Sequence, residues 1–312
     1  MTVLAADMGG RRIKLGVVRE GCVIAMEILS AGSDRPLKER MQAVAGAFRR
    51  LCARSGVSPG ACAGVGLSYP SIIDTAGARI LDQFGKYGES SEFDLREWAR
   101  NEFGLPLAVD NDARMALIGE WRRGAGMDCD NLVMITLGTG IGTAAIMDGR
   151  ILRGRHSQAG ILGGHLTVRA GGRRCVCGNI GCAEAEASTW ALRHLCEGAQ
   201  IKLPDMHSQE WDYATIFRLA SEGVAWAADI RDRSLEIWAA TAVNLIHAYD
   251  PERVILGGGV MGSGSVILPY IGGYVARHAH TPWGQASVIP SQLGDRAALV
   301  ACEWLVEEQV LK

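Results

Sequence analysis

Short apolar runs and glycine turns alternate along this chain in an order that occurs twice. Thr2 to Asp7 reads as an apolar strand, Gly9-Gly10 breaks it, and Ile13 to Val18 alternates as a second strand. Arg19-Glu20-Gly21 then turns the chain into a third strand over Cys22 to Leu29, so a three-strand meander is predicted. Further on, Leu132 to Leu137 is an apolar strand, Gly138 to Gly142 a glycine turn and Thr143 to Met147 a strand, after which Asp148-Gly149 turns into Ile151-Leu152. The repetition implies an internal duplication.

Helices and buried strands follow each meander. Pro36 to Ser55 carries Leu37, Met41, Val44, Phe48 and Leu51 on one helical stripe, with Gly56 to end it. Ala63 to Ser68 reads as a strand, Asp94 caps a helix that runs to Phe103 and stops at Gly104, and Leu107 to Asp110 is a strand that opens the helix Ala113 to Trp121. In the second half a long helix over Val224 to Tyr249 is broken by Asp250-Pro251, and the buried strand Arg253 to Leu256 leads into Gly257-Gly258-Gly259. Asp295 stands where it could cap a final helix whose apolar face carries Ala298, Leu299, Cys302, Leu305 and Val306.

At 312 residues the chain exceeds one typical core, so two lobes around a cleft are expected. No apolar run approaches the roughly 20 residues of a membrane span, and no secretion leader follows Met1, so a soluble cytoplasmic protein is expected. A formal charge of -2, with Arg11-Arg12, Arg49-Arg50 and Arg122-Arg123 scattered, leaves no field for nucleic acid. Nine cysteines, dispersed except for Cys175, Cys177 and Cys182, argue against a disulfide framework and for a local metal site.

That metal site is the most specific signal. His165, Cys175, Cys177 and Cys182 form a His-x9-Cys-x-Cys-x4-Cys array among glycines, a closed set of soft ligands for structural Zn²⁺ that leaves no position for a reactive water. The glycine turns carry the second signal. Asp7-Met8-Gly9-Gly10 and Gly138-Thr139-Gly140-Ile141-Gly142 end equivalent strands, and a duplicated fold would bring their bare N–H groups to a shared polyphosphate, with Asp7 holding a water of Mg²⁺ and Gly257, Gly258 and Gly259 near the nucleotide. Any one turn alone is better explained as a tight hairpin, since Gly is the ordinary turn residue; three in equivalent places reverse that and favour phosphate binding. No Walker lysine motif or strand-borne G-x-G-x-x-G is present. The third signal is Val109-Asp110-Asn111-Asp112, which puts polar side chains at the carboxyl end of a strand, where α/β sheets bind ligands. Asp112 is the candidate general base for a sugar hydroxyl, although Asp110 or Asp112 could equally cap the helix.

These residues together resemble the ROK family of bacterial sugar kinases and sugar-responsive repressors over nearly the whole chain. The resemblance rests on Asp7-x-Gly9-Gly10, Asn111-Asp112-Ala113 with Gly119-Glu120, Leu137 to Gly142, Cys175-x-Cys177-Gly178-x-x-Gly181-Cys182-x-Glu184, and Asp250-Pro251 before Leu256 to Gly259. It implies the duplicated actin/hexokinase-like (ribonuclease H-like) α/β fold, with a small lobe of residues 1–110 plus 297–312 and a large lobe of residues 111–296 carrying the zinc loop. It also implies ATP, Mg²⁺ and Zn²⁺ as cofactors, Asp112 as catalytic base, Asn111, Glu184 and His165 as sugar contacts, and a homodimer or homotetramer.

Three departures from the family pattern stand out. Arg11-Arg12 replaces Thr-Lys, which puts guanidinium groups beside the phosphate turn. Pro70-Ser71 replaces Pro-Gly. Gly160-Ile161-Leu162-Gly163-Gly164-His165 lacks the glutamate of Gly-Glu-Ile-Gly-His and carries one extra residue, so a sugar-binding carboxylate is missing unless Gln158 or a backbone carbonyl replaces it. The leading expectation is a hexose kinase, and the alternative is a catalytically weak or non-enzymatic sugar-binding relative. The family's repressors carry a helix-turn-helix ahead of the kinase-like part, and with a first strand expected at Thr2 none is expected here.

Overall fold

The computed structural model describes residues 1–82, 86–198 and 212–311, and packing divides them into two compact units. The first comprises Met1–Met127, Arg153–Ala159 and Gln292–Lys312; the second comprises Asp128–Leu152 and Gly160–Ser291. The helix that follows Asn111 thus packs with the first unit, where the sequence reading drew its boundary at 110/111, and residues 153–159 return to that unit as a short excursion.

In the first unit β1 (Thr2–Met8), β2 (Arg12–Arg19) and β3 (Cys22–Ser30) form the expected meander, turned at Glu20 and Gly21, both of positive φ. Helix α1 (Leu37–Ser55) ends at Gly56 in the left-handed conformation. Then come β4 (Val65–Tyr69) and the small hairpin β5 (Ile73–Asp74) with β6 (Arg79–Ile80). Helix α2 (Leu95–Phe103) follows, its first turn capped by Asp94, which accepts the Glu97 amide at 2.8 Å. β7 (Leu107–Asn111) runs directly into α3 (Asp112–Arg123).

The second unit repeats the plan with β8 (Leu132–Leu137), β9 (Ile141–Met147) and β10 (Arg150–Ile151). Helices α4 (Ala183–Ala187), α5 (Leu192–Gly198), α6 (Tyr213–Ser221) and the long α7 (Ala225–Tyr249) follow. Asp250 in the left-handed conformation stops α7 ahead of Pro251, and β11 (Arg253–Gly257), α8 (Gly264–His278) and β12 (Ser287–Pro290) complete the unit. The chain then re-enters the first unit and ends in α9 (Ala297–Val306).

Both sheets have the same plan. The first is ordered β3-β2-β1-β4-β7 and the second β10-β9-β8-β11-β12; in each, an antiparallel meander is extended by two parallel strands. This is the predicted duplication in three dimensions, and the fold is the α/β fold expected from the sequence. β1 is buried on both faces: Leu4, Ala6 and Met8 join Val44, Phe48 and Leu51 of α1 in one core, while α9 packs against the same sheet. In the second unit Val133, Ile135 and Leu137 pack with Trp238, Ala242 and Leu245 of α7. Among the described residues no helix is long and apolar enough to cross a membrane.

Asp295 does not cap α9. The helix is entered through Arg296 with no side-chain cap, and the Asp295 carboxylate turns to Lys14 and Arg12 instead.

Helices α3 and α9 cross at Gly119, where any Cβ would run into the Ala297 carbonyl and its Cα. The backbone on one side of that contact cannot yield as a side chain would. Gly119→Ala is expected to destabilise the protein by about 1 to 3 kcal/mol or more through overpacking. A urea titration checks this, and an unchanged midpoint would contradict the crossing.

Candidate functional site

The β7–α3 junction is built around a buried charge. Asp110 has no solvent exposure, and it accepts Arg114 Nη1 at 2.9 Å together with Arg153 Nε at 3.1 Å and Nη2 at 2.8 Å. Arg114, equally buried, donates on to the carbonyls of Ser157 at 2.6 Å and Ala159 at 3.2 Å, which ties residues 153–159 to the junction. Asp110 is thus an ion-pair centre and not a cap. The cap is Asn111, whose Oδ1 accepts the amides of Ala113 at 3.0 Å and Arg114 at 3.2 Å. Its Nδ2 donates to the Ser71 carbonyl and to Asp112 Oδ1, both at 3.0 Å.

Asp112, the first residue of α3, is therefore released from capping. Its Oδ1 takes the Ala113 amide at 2.8 Å and the Asn111 side chain, and neither donor touches Oδ2. The residue is only half-buried by exposure, yet protein surrounds its carboxyl, and this burial pushes its pKa up to about 6. Lys86 opposes the rise and Asp7 adds to it, while the bonds from Ala113 and Asn111 favour the carboxylate.

The Asp7 turn lies in the same unit. Asp7 Oδ1 accepts the Ser68 hydroxyl at 2.7 Å, and Oδ2 accepts Lys14 Nζ at 3.0 Å. The Gly9 amide closes the turn on the Arg12 carbonyl at 3.0 Å, and Tyr87 donates its hydroxyl to the Gly9 carbonyl at 2.6 Å. Among the described residues the amides of Gly10 and Arg11 meet no acceptor. Arg11 is exposed, and Arg12 pairs with Asp295 at 3.3 Å.

In the second unit the Gly138 amide closes its own turn on the Gly140 carbonyl at 3.0 Å, which leaves the amides of Thr139 and Gly140 with no acceptor among the described residues. Both turns therefore offer consecutive unspent N–H groups, an arrangement suited to phosphate oxygens. Gly258, at φ 93°, lies so close to Leu137 that a Cβ would strike its backbone, so the Gly257–Gly259 and Gly138–Gly140 segments are neighbours. Glu184 braces the turn from the other side. Its Oε2 accepts the Ile141 amide at 2.9 Å and its Oε1 accepts Trp190 Nε1 at 3.2 Å, while the amides of Thr189 and Trp190 donate to the carbonyls of Gly138 and Thr139, each at 3.1 Å. A carboxylate expected to face sugar is thus bonded within the protein to the glycine turn.

His165, Cys175, Cys177 and Cys182 converge so that their ligand atoms all lie within 4.8 Å of one another. Cys177 Sγ is 3.7 Å from Cys182 Sγ, and His165 Nδ1 is 3.5 Å from Cys175 Sγ. A tetrahedral zinc with Zn–S bonds of about 2.3 Å places its sulfurs about 3.8 Å apart, so these edges suit one tetrahedral cation. Asn179 Nδ2 donates to Cys182 Sγ at 3.3 Å and to the carbonyl of His165 at 3.2 Å, orienting the ligands from outside. Burial, with the neighbouring thiols adding to it, pushes the Cys182 thiol up to about 12, which a bound cation would reverse.

Comparison with known proteins gives the same outline. The model of the ROK family matches residues 3–309. The chain belongs to the ROK family. It is 28% identical to a glucokinase of Thermotoga maritima over 99% of this chain and 98% of that one. The crystal structure of a ROK family glucokinase from Streptomyces griseus, in complex with glucose and AMPPNP, superposes with a TM-score of 0.80 at 29% identity, covering 98% of this chain and 99% of that one. A xylose repressor of Bacillus subtilis is 25% identical over 81% of this chain and 63% of its own length. ROK sugar kinases have the two-domain actin-like fold, which is the fold class of this chain.

Two residues of the ROK pattern take structural duties here. Gly119 allows α3 to meet α9, and the fully buried Glu120 accepts the amides of Ala125 at 2.8 Å, Gln292 at 3.1 Å and Leu293 at 2.8 Å, fixing the chain where it returns to the first unit. Sequence reasoning passed over Ser68, Tyr87 and Lys14 beside Asp7, and Trp190 beside Glu184. Only the pairing of Lys14 was accessible from strand alternation, because a β1–β2 hairpin turning at Gly9-Gly10 puts it across from Asp7.

The cysteine cluster yields an expected outcome. Metal analysis of protein purified without chelators should find about one zinc per chain, and Cys177→Ser should lose metal and thermal stability together, because a closed site couples binding to folding. Zinc-free wild-type protein of full stability would contradict the assignment.

Proposed function

We propose that this ROK protein transfers the γ-phosphoryl group of Mg-ATP to a primary hydroxyl of a hexose or hexose derivative, with Asp112 as the general base. The observation that carries this reading is the release of Asp112 from capping by Asn111, in a desolvated position with a pKa of about 6. A base of that pKa is ionised at neutral pH and basic enough to take a proton as a hydroxyl attacks phosphorus. Phosphoryl transfer asks for little other covalent chemistry from the protein, since positioning and charge neutralisation supply most of the rest.

In this reading Asn111 aligns Asp112; its side-chain donors and acceptor are all engaged within the protein, so the sugar contact expected of it from the sequence would require one of those bonds to be exchanged. Each turn by itself offers unspent amides to phosphate oxygens, Gly10 and Arg11 in the first unit and Thr139 and Gly140 in the second, with Gly257–Gly259 beside the second turn for the nucleotide. Asp7 carries a lysine on Oδ2 and a hydroxyl on Oδ1, so it suits Mg²⁺ held through water and not by direct ligation. His165 directs Nδ1 toward the cysteines, so its ring can brace the sugar from a zinc-fixed position. Glu184 orients the 138–141 turn as well as the sugar. The glucose and AMPPNP in the Streptomyces griseus relative support the substrate classes.

Two specific features favour a second reading, a catalytically weak sugar-binding relative: the pairing of Lys14 with Asp7 and the similarity to a repressor. A coupled assay of ADP release across aldohexoses, ketohexoses and amino sugars separates the two, since the second reading requires sugar binding without turnover.

Asp112→Asn should abolish turnover while sugar binding largely survives, because the amide keeps shape and hydrogen bonding but cannot accept the proton. For the wild type, the base must be a carboxylate. Activity should therefore be full well above pH 6 and fall as pH drops through about 6, approaching a tenfold loss per further unit, provided the protein stays folded. A flat profile from pH 5 to 8, or undiminished turnover in the variant, would remove Asp112 from the mechanism.

The missing glutamate bears on the sugar. The Ile161 side chain is buried and offers no acceptor, the Gly160 carbonyl already accepts the Thr143 hydroxyl at 2.6 Å, and Gln158 is exposed. A hydroxyl left unpartnered costs about 1 to 3 kcal/mol, so glucose is expected to fall roughly tenfold to a hundredfold below the best sugar of a panel of epimers, ketoses and N-acetylated sugars. Glucose emerging with the highest kcat/KM would contradict this.

A further inference from the structure

We propose that Arg169, Arg173 and Arg233 form a binding site in the second unit for a phosphate dianion, free or as the head of a phosphomonoester. The site shares no residue with the phosphoryl-transfer machinery described above and does not rest on it. Its centre is Glu186 of α4, a carboxylate with no solvent exposure. Oε1 accepts the backbone amide of Arg173 at 2.6 Å. Oε2 accepts Nη2 of Arg233, which α7 contributes, and lies 3.6 Å from Arg169 Nη1. The side chain of Arg173 has a different fate: its Nη1 is buried and meets no acceptor among the described residues.

A buried carboxylate needs cationic partners, and Arg233 with Arg169 already supplies them to Glu186. Arg173 adds a third guanidinium to the same place. Burial works against its charge and so do the neighbouring Arg233 and Arg169, while Glu186 only partly offsets them, so its pKa lies below the ordinary arginine value. An arginine nevertheless stays protonated in a protein, which leaves three cations facing one anion. The two uncompensated charges match a dianion better than a single carboxylate would. Guanidinium groups suit phosphate because their planar forks pair two donors with two oxygens. Arg169 is 55% exposed and Arg233 35%, so the cluster is reachable from solvent, whereas Nη1 of Arg173 is out of contact with water. Arg169 and Arg173 both belong to the segment between His165 and Cys175, so an anion held there would brace the chain that carries the metal ligands.

Calorimetric titration of the full-length protein with inorganic phosphate, in chloride buffer at fixed ionic strength, tests this without any turnover. The wild type should bind phosphate, and Arg173→Met should weaken that binding by about tenfold to a hundredfold while affinity for Mg-ATP holds. In phosphate-free buffer Arg173→Met should melt no lower than the wild type, because the buried donor it removes has no partner; a structural guanidinium would not give that result. Arg169→Met, at an exposed residue, should also weaken phosphate severalfold, and it decides the matter if Arg173→Met melts lower or fails to fold. Glucose 6-phosphate separates the two sources of the dianion. The part of the affinity that Arg173→Met removes should be alike for both ligands if the site takes the head of a monoester, and confined to inorganic phosphate if it takes the free ion. No phosphate binding by the wild type, affinity unchanged in both variants, or phosphate and Mg-ATP weakened alike would overturn the site. A wild type that binds phosphate through Arg173 but not Mg-ATP would overturn the kinase reading and leave this site standing.

Discussion

A carboxylate with no access to water has to be paired, and the pairing of Asp110 organises the first unit around the candidate base. Removing one partner from such a buried pair costs about 3 to 5 kcal/mol, so the arrangement is strongly enforced once formed. Arg114 comes from the first turn of α3 and Arg153 from an excursion of the chain beyond β10, so satisfying one charge fixes the start of the helix and captures residues 153–159. With Asp110 engaged, the exposed amides at the start of α3 must find another acceptor, and Asn111 supplies it. Asp112 is left with one carboxylate oxygen bonded and the other turned away from those donors, the condition a general base requires.

Close backbone approach is the second constraint, and it explains glycines that have no chemistry of their own. Gly66 lies where a Cβ would strike Cys302 of α9, Gly119 where it would strike Ala297, and Gly163 and Gly164 against Thr143 and Ile141 of β9. Each lets a helix or loop settle closely on the sheet or helix beside it. His165 is one example: the glycine pair before it lies flat on β9, and the histidine thereby meets three cysteines contributed by residues 175–182.

Much of this was legible in the sequence because it is local. Asp94 and Gly104 bound α2, Asp250-Pro251 ends α7, and the two strand–glycine–strand units appear where their alternation places them. The metal ligands were readable because three of the four lie within eight residues. Helix α8 was hidden. Ile267, Ile271 and Val275 do share its buried stripe, but Pro269 and a glycine-rich surround argue locally against a helix, and packing on α7 and β12 overrides that. β12, with a proline at its end and only four residues long, exists because β11 offers it a parallel partner. Asp295 shows the limit of local reasoning most clearly. Its place before α9 suggests a cap, and nothing nearby in the chain reveals that Lys14, 281 residues earlier, claims it.

Charge also couples parts of the first unit that the sequence lists separately. Asp7 contributes to holding the pKa of Asp112 up, so the phosphate turn and the base act on each other through space as well as through the chain. Tyr87 lies within reach of both: burial drives its hydroxyl far from ionising, and the negative charges of Asp7 and Asp112 add to that effect. Its proton therefore stays available to the Gly9 carbonyl, and the fully buried ring cannot move without disturbing the turn. Lys14 works in the opposite sense, since an ammonium on Asp7 reduces the negative field felt at Asp112. The basicity of Asp112 is in this way linked to the charge at a turn on β1, two strands away in the same sheet.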